Sequence, residues 1–388
     1  MEIVGAGGGF PDHPRKRKAD EEEEIDEHEE GVIPAELVEG SKHGDGSIFR
    51  PEEHPLHRLY HLHDTRDTRL EAMRLSDPID ICLPCWTACR QHVGCAMMQI
   101  FSLKVSKLPR SAAGRGPVEL YGFMAVRDLL DPLRNYIFNR SRDDPFIIQD
   151  PLSDPFIYLS GPRRGIYLQC RVLIEYDIRI KRGETTQDDL PLIDGAATFS
   201  ELTYINGAIT NRIKGDCGAR VDIARALLRQ SVEATVQVWI TKKLGRNDTG
   251  DLDLSISGFV GRIPEEIKIF RGTVDDLCDL KRFVVAVSLN SVLFLYFKVP
   301  ALGADPICKF AFRAVAHGCI YGCHELDSST IEDMGEKIVS TLDPLLNHQP
   351  PEELDLWTST VFPYKAAGGS SSMLLDGFVD RSSSQDTI

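Results

Sequence analysis

No apolar run in this chain reaches the ~18 residues that a bilayer-spanning helix requires, which excludes a protein held in a membrane by helices. Met1 to Phe10 is Gly-rich and is followed by charge rather than by an apolar core, so the start does not read as a secretory signal. A surplus of positive charge is also missing. Against 59 acidic side chains stand 44 basic ones, a net charge of -15, and this disfavours sequence-independent nucleic-acid binding, which depends on cations that release phosphate counterions. Recognisable catalytic spacing is absent too. There is no Gly-x-Ser-x-Gly elbow and no phosphate-binding glycine loop, since Gly5-Ala6-Gly7-Gly8-Gly9 has neither the preceding strand nor the following helix. The balance of these absences leans against an enzyme, and no cofactor is expected.

The charge that is present is unevenly spread. Residues 1–75 hold 10 Lys/Arg and 19 Asp/Glu, so -9 of the -15 lies there. Nine of the eleven residues from Asp20 to Glu30 are carboxylates. Like charges at that density repel and leave nothing apolar to bury, so the reading for 1–78 is a disordered arm. Just before this run stand Arg15, Lys16, Arg17 and Lys18. They read either as a nuclear import signal, which places the chain in the nucleus as well as the cytoplasm, or as a solvated run neutralised by its acidic neighbour. His54, His57, His61 and His63 fall within ten residues. On a helix three of them would share a face and could take zinc, although Leu56, Leu59 and Leu62 interleave as in a plain amphipathic segment.

Ten cysteines in a chain of this length suggest reduced thiols. Cys82, Cys85, Cys89 and His92 offer zinc-binding residue types, but the two pairs almost abut, with Pro84 inside the first. Read helically they form one stripe with Cys95, so 79–97 reads as a Cys-rich helical segment facing a core. Cys319, Cys323 and His324 make a second small group.

From residue 98 the texture becomes β. Gln99 to Val105 alternates, with Phe101, Leu103 and Val105 expected on one face. Val118 to Val126, Tyr136 to Phe138, Phe146 to Ile148 and Phe156 to Leu159 follow, and Val172, Ile174, Tyr176, Ile178 and Ile180 line one side of a long strand. Val232 to Ile240, Leu252 to Val260, Phe283 to Val287, Val292 to Val299 and Lys309 to Ala314 continue the series. Short strands broken by Gly, Pro and Asp predict an all-β, antiparallel β-sandwich-like domain over 98–318. Val221 to Gln230 reads as a helix or an edge strand. A helix is expected over Ile331 to Leu346 in a variable, irregular tail (319–388), with disorder after 350.

Several strings carry a resemblance: Phe101-Ser102-Leu103-Lys104-Val105, Tyr121 to Asp128, Arg134-Asn135-Tyr136-Ile137-Phe138-Asn139-Arg140-Ser141-Arg142-Asp143-Asp144-Pro145, Gly161 to Ile166, Leu173 to Lys181 and Asp188 to Gly195. Over about 98–318 the chain resembles a domain-of-unknown-function family of grasses, expanded in cereals, some members of which are fused to ribosome-inactivating domains. The resemblance implies a stress or defence setting and no defined chemistry. After Arg313-Ala314-Val315-Ala316-His317-Gly318 the chain departs from the family pattern, which puts the last strand of the sandwich in question. A ribosomal RNA glycosidase would need a Glu and an Arg one helical turn apart. Glu233-Ala234-Thr235-Val236 has Val where the Arg would stand.

The loops hold the remaining candidates. Asp128, Asp131, Asp143, Asp144, Asp150 and Asp154 could converge on calcium, as in calcium-dependent phospholipid-binding modules. Four of them, however, precede proline and read as turn formers. Arg127, Asp128, Arg134, Arg140, Arg142, Asp143, Asp144, Arg163 and Arg164 read either as an anion site, since Arg presents a bidentate fork, or as an internal Arg–Asp network. The function expected is a non-catalytic protein-interaction module with a protein partner of unstated kind, and the alternative is a ligand- or ion-binding domain built on this cluster.

Overall fold

The structure, a computed structural model, describes residues 31–43, 55–68, 94–112, 114, 116–202, 207–240, 252–274, 280–299, 308–314, 319–324 and 356–361. In chain order the strands begin with β1 (Val32–Pro34) and β2 (Glu36–Leu37), followed by the short helix α1 (Pro55–Leu59). Next come β3 (Cys95–Lys107), β4 (Val118–Arg127), β5 (Asn135–Arg140), β6 (Phe146–Ile148), β7 (Phe156–Ile157), β8 (Ile166–Tyr167) and β9 (Val172–Ile180). Then follow β10 (Leu190–Phe199), β11 (Ile209–Lys214), β12 (Arg220–Ile240), β13 (Leu252–Val260) and β14 (Ile267–Val274). The last are β15 (Phe283–Ser288), β16 (Val292–Lys298), β17 (Cys308–Arg313), β18 (Cys319–His324) and β19 (Leu356–Val361).

The all-β expectation holds, and the layers share a sheet. β12 is 21 residues long. Its first half pairs with β3 and β11, its second with β15 and β19. One face of the first half (Val221, Ile223, Leu227) packs with Ile174, Ile178 and Leu120 of a sheet ordered β2-β10-β9-β4-β5. The opposite face (Ala224, Ala226, Leu228, then Val232 to Val238 on alternate positions) packs with Ile256, Leu295 and Phe312 of a sheet ordered β14-β13-β16-β17. The chain therefore forms two sandwiches back to back on a common sheet. Each fully buried Ile, Leu or Phe in these cores contributes about 1.5–3 kcal/mol.

This geometry corrects three expectations. Val221 to Gln230 is neither helix nor edge, because it lies mid-sheet with both faces covered. Burial on both sides leaves the segment without the exposed polar face that makes a half-buried strand alternate. Phe101 does not share a face with Leu103 and Val105. A bulge opposite Ala224 and Arg225 reverses the side-chain parity, sending Phe101 into the second core while Leu103 and Val105 enter the first. Cys95 opens a strand instead of closing a helix, and it lies buried. By contrast, the face of Val172, Ile174, Tyr176, Ile178 and Ile180 is buried as expected.

Parts of the segments read as an arm and a tail also join the fold. β1 runs parallel to β11, and β2 pairs with β10. Tyr60 and Leu62 pack on Leu173 and Ala196 in a third, small core. β19 pairs with both β12 and β18, so strand pairing continues past Gly318, where the last strand of the sandwich was expected to be in question. The polar composition that suggests an unpacked arm is misleading at these positions, because the polar groups are paired internally. Arg15, Lys16, Arg17, Lys18, Cys82, Cys85, Cys89 and His92, and the helix expected at 331–346, lie outside the described residues.

Candidate functional site

The loop arginines are mostly engaged with carboxylates. Arg127, at the end of β4, is fully buried and donates from Nε to Glu175 Oε1 at 2.7 Å. Its remaining nitrogens donate to the carbonyls of Tyr60 (3.1 Å), His61 (3.2 Å), Pro132 (2.8 Å) and Asp64 (2.6 Å). Arg134 donates to both oxygens of Glu175, at 2.8 and 3.0 Å. His43 Nε2 lies 3.5 Å from Glu175 Oε2 while its Nδ1 lies 2.7 Å from Asp194 Oδ1. Burial works against the charge on Glu175, yet the His43 hydrogen bond and the Arg127 and Arg134 guanidiniums outweigh it and hold the carboxyl down to about 2. Burial likewise opposes a charged His43, and its bonds to Asp194 and Glu175 raise it above its ordinary value. Glu175 and Asp194 lie on the neighbouring strands β9 and β10, and they escape notice in the sequence because the histidine they share, His43, stands 132 residues before Glu175.

A second buried pair lies beside the first. Arg164 makes a two-pronged contact with Asp128, 2.7 and 2.8 Å, and donates to Thr68 Oγ1 and to the carbonyls of Asp131 and Gly165. Asp128 also accepts from the backbone N–H of Leu130, Asp131 and Tyr167. Arg142 grips Asp189 and four carbonyls of the 182–185 turn. Arg140 and Asp144 form an exposed pair at 2.7 Å, and Asp143 is exposed. Each of Arg127, Arg134, Arg140, Arg142, Arg163 and Arg164 thus has a carboxylate partner at 2.7–3.1 Å.

The loop aspartates do not converge on calcium. Asp150 accepts from Leu152 and Ser153 N–H, Asp154 pairs with Arg271, and Asp128 and Asp144 are held by arginines. Among the described residues no group of three or more His, Cys, Asp or Glu is placed to hold a metal ion. The rings of His57 and His63 stack at 5.6 Å, with their planes nearly parallel, instead of aiming nitrogens at a common point. Glu233 stands on β12, not a helix. It accepts the Gly165 N–H at 2.5 Å, and burial pushes its carboxyl up to about 7.

Two of the expected residues do reach an open cavity of about 330 Å³ where the two sandwiches meet. Arg134 and Arg163 line it together with Asp67, Tyr136, Asn139, Ser160, Gly161, Pro162, Lys281 and Arg282. Arg163 pairs with Asp67 at 3.1 Å, both half-exposed. Lys281 donates to the Ser160 carbonyl at 2.5 Å, and Arg282 donates to Gln237 Oε1 at 2.8 Å. Neither has a carboxylate partner among the described residues. Four lining cations against one lining carboxylate give +3, or +2 once Glu175 is set against Arg134. Burial and the nearby Arg163 and Arg140 charges lower the Lys281 ammonium below its ordinary value, the response of a cation held among other cations. Gly161 forms one wall so tightly against β5 that an added Cβ would lie 1.9 Å from the Tyr136 carbonyl oxygen. Lys281 and Arg282 are missed in sequence because they sit just ahead of an ordinary strand, β15, 121 and 45 residues from these partners.

Fold and site together define an all-β protein of two sandwiches on a shared sheet, with a cationic cavity at their junction. Residues 97–332 match DUF6598, a domain of unknown function. The chain belongs to this family. No curated protein sequence matches it. Solved structures similar to parts of it include human GIVD cytosolic phospholipase A2 in complex with methyl gamma-linolenyl fluorophosphonate, at 9% identity and a TM-score of 0.23 over 70% of this chain and 33% of that one. A calcium-bound pair of C2 domains from extended synaptotagmin 2 matches at 8% identity and a TM-score of 0.20, over 70% and 97% of the two chains. The chain thus spans about a third of the length of the phospholipase, and likenesses at these scores carry nothing about ligand or activity.

Proposed function

We propose that this domain is a non-catalytic binding module whose ligand presents an anionic group to the cavity between the two sandwiches. The supporting observation is that Lys281 and Arg282 face the cavity without a carboxylate among the described residues, beside the buried Arg134 and the Asp67-paired Arg163. Two further cations within reach of one anion give a two- or three-point grip, and Asn139, Ser160 and Tyr136 add neutral polar partners. This narrows the Arg/Asp cluster to its edge. Its interior, Arg127, Arg164 and Asp128, is the scaffold. The free thiols Cys170 and Cys217, both exposed, fit a reducing cytosolic or nuclear setting, toward which the run from Arg15 to Lys18 also points. The resemblance to a cereal-expanded family supports a stress or defence role.

Thermal unfolding against sulfate, phosphate, pyrophosphate, phosphosugars and nucleotides tests the reading. A ligand at ~100-fold excess over its Kd adds about 2.7 kcal/mol, enough to raise the midpoint by roughly 5–10 °C. The shift should vanish in the Lys281→Ala, Arg282→Ala double variant while its ligand-free melt stays cooperative. A melt that none of these anions moves, or a shift that the double variant retains, refutes the assignment.

A further inference from the structure

The floor of the cavity is tied to the segment 31–43 through shared groups. Arg134 and His43 address the same carboxylate, Glu175, at 2.8–3.0 Å and 3.5 Å. They also address the same ring. The Arg134 guanidinium lies 4.3 Å over the face of Phe123, and His43 meets Phe123 edge-on at 5.2 Å. Phe123 in turn meets Tyr136, a cavity residue, edge-to-face at 6.0 Å. One carboxylate and one ring therefore connect an imidazole on the N-terminal segment to the anion-facing wall.

We infer that His43 is a proton-controlled coupling element. Its protonation, with the seating of segment 31–43, sets the positive potential that the cavity presents to an anion. This rests on reading the cavity as an anion site. Facing His43 are Asp194 from β10, Glu175 from β9 and the Phe123 ring from β4, with Arg127 and Arg134 behind Glu175. Lys42, next to it in the chain, reaches the Asp194 carbonyl and the Asp216 carboxylate. With the imidazole charged, three cations (His43, Arg127, Arg134) meet two carboxylates (Glu175, Asp194), a balance of +1; uncharged, the balance is zero. A charged His43 draws on Glu175 and leaves Arg134 less neutralised toward the cavity. Loss of that proton hands Glu175 to the two arginines and lowers the potential.

His43 is raised above its ordinary value of 6.5, so the charge is present at and below that value and is lost as pH rises through the higher, folded-state value. Anion affinity should fall over the same interval. Reciprocity requires that a bound anion in turn strengthen His43's hold on its proton.

The test uses the full chain. Side-chain nitrogen NMR without ligand, between about pH 5.5 and 9 around the ordinary histidine value, should show the Arg134 Nε–H signal moving with the His43 midpoint. Sulfate, whose charge is constant over that range, is then titrated at fixed ionic strength to hold screening constant. Its affinity should drop roughly three- to tenfold across the midpoint, the effect of one charge a residue away at an effective dielectric between protein and water. In His43→Gln, whose amide keeps a donor within reach of Asp194, the drop should disappear. An Arg134 signal indifferent to His43, or a pH profile that His43→Gln leaves unchanged, overturns the coupling and leaves the cavity reading standing. No sulfate binding at any pH, even with Arg134 following His43, overturns the cavity reading and the coupling to a ligand with it.

Discussion

Replacing Arg127 by methionine keeps most of the side-chain volume and removes one buried charge and five hydrogen bonds. Those bonds run to Glu175 Oε1 and to the carbonyls of Tyr60, His61, Asp64 and Pro132. Breaking a buried ion pair by removing one partner costs about 3–5 kcal/mol, because the other charge stays behind in a medium that solvates it poorly. Here Glu175 keeps Arg134 and the His43 contact, so the carboxylate is not stranded and the lower end, about 3 kcal/mol, is expected. The carbonyls of Tyr60, His61 and Asp64 lose the guanidinium, and only that of His61 keeps another donor, the Asp64 N–H, so the others can regain one from water only if the segment lifts. The loss should therefore be spatially uneven. Urea unfolding reports the total. Native-state hydrogen exchange should quicken at Leu62, Asp64 and Thr68, whose N–H groups bond to His57, His61 and Arg134 carbonyls. Exchange at Ile178, deep in the first core, should change much less. Arg140→Met, which breaks an exposed pair, is the control and should stay within about 0.5 kcal/mol of wild type. A loss below about 1 kcal/mol with exchange at 62–68 unaltered would show that the guanidinium does not hold this segment, and the account of the buried cluster would fail.

Acid should act on the same cluster. Glu175 is held down to about 2 from its ordinary 4.5, and Asp194 is also lowered. Both contribute stability that is complete above the ordinary carboxylate range and lost as pH falls toward the folded-state values. Denaturation free energy should decline between about pH 4.5 and 2, and Glu175→Gln should flatten that slope by one proton, about 1.4 kcal/mol per pH unit at most. An unchanged slope would place the acid sensitivity elsewhere. Gly161→Ala should cost about 1–3 kcal/mol or more, because its Cβ would press on the Tyr136 backbone, and should also abolish the anion-induced shift. Gly116→Ala, with nothing within 4 Å of the added Cβ, should be neutral or slightly stabilising in the same urea titration. Equal effects at the two sites would contradict the close approach at Gly161.

Strands that bury one face were legible because burial on one side writes a period of two into the chain. Val172, Ile174, Tyr176, Ile178 and Ile180 carry it, all on the side of β9 that enters the first core. β12 carries no such period in its first half, since Val221, Ile223 and Leu227 serve one core while Ala224, Ala226 and Leu228 serve the other. A chain buried on both faces has no polar side with which to declare itself. β10 was hidden differently. Pro191, Gly195, Ala196 and Ala197 have weak strand preference, and the segment is a strand because β9 pairs along its length. In these two elements tertiary context, not local propensity, decides the conformation.

The same distinction explains the polar groups. An arginine-and-aspartate-rich stretch between strands told, by composition alone, that charges would meet. Which ones meet depends on sheet order. Glu175 occupies the side of β9 that, by alternation, should face solvent, yet it is fully buried because β4 sets Arg127 and the β5 start sets Arg134 over it. With two guanidiniums in place a carboxylate is required there, and with the carboxylate in place an imidazole from 132 residues away can share it. Each charge is tolerable in a low-dielectric interior only when the others have arrived. It follows that residues 31–43 and 60–64, polar enough to read as unpacked, are held by the charged interior of the domain. Lys281 and Arg282, by contrast, remain without a carboxylate among the described residues. In a chain of net charge -15 that pairs most of its described buried arginines internally, two cations left facing a cavity are the positions where a ligand's charge completes the pattern.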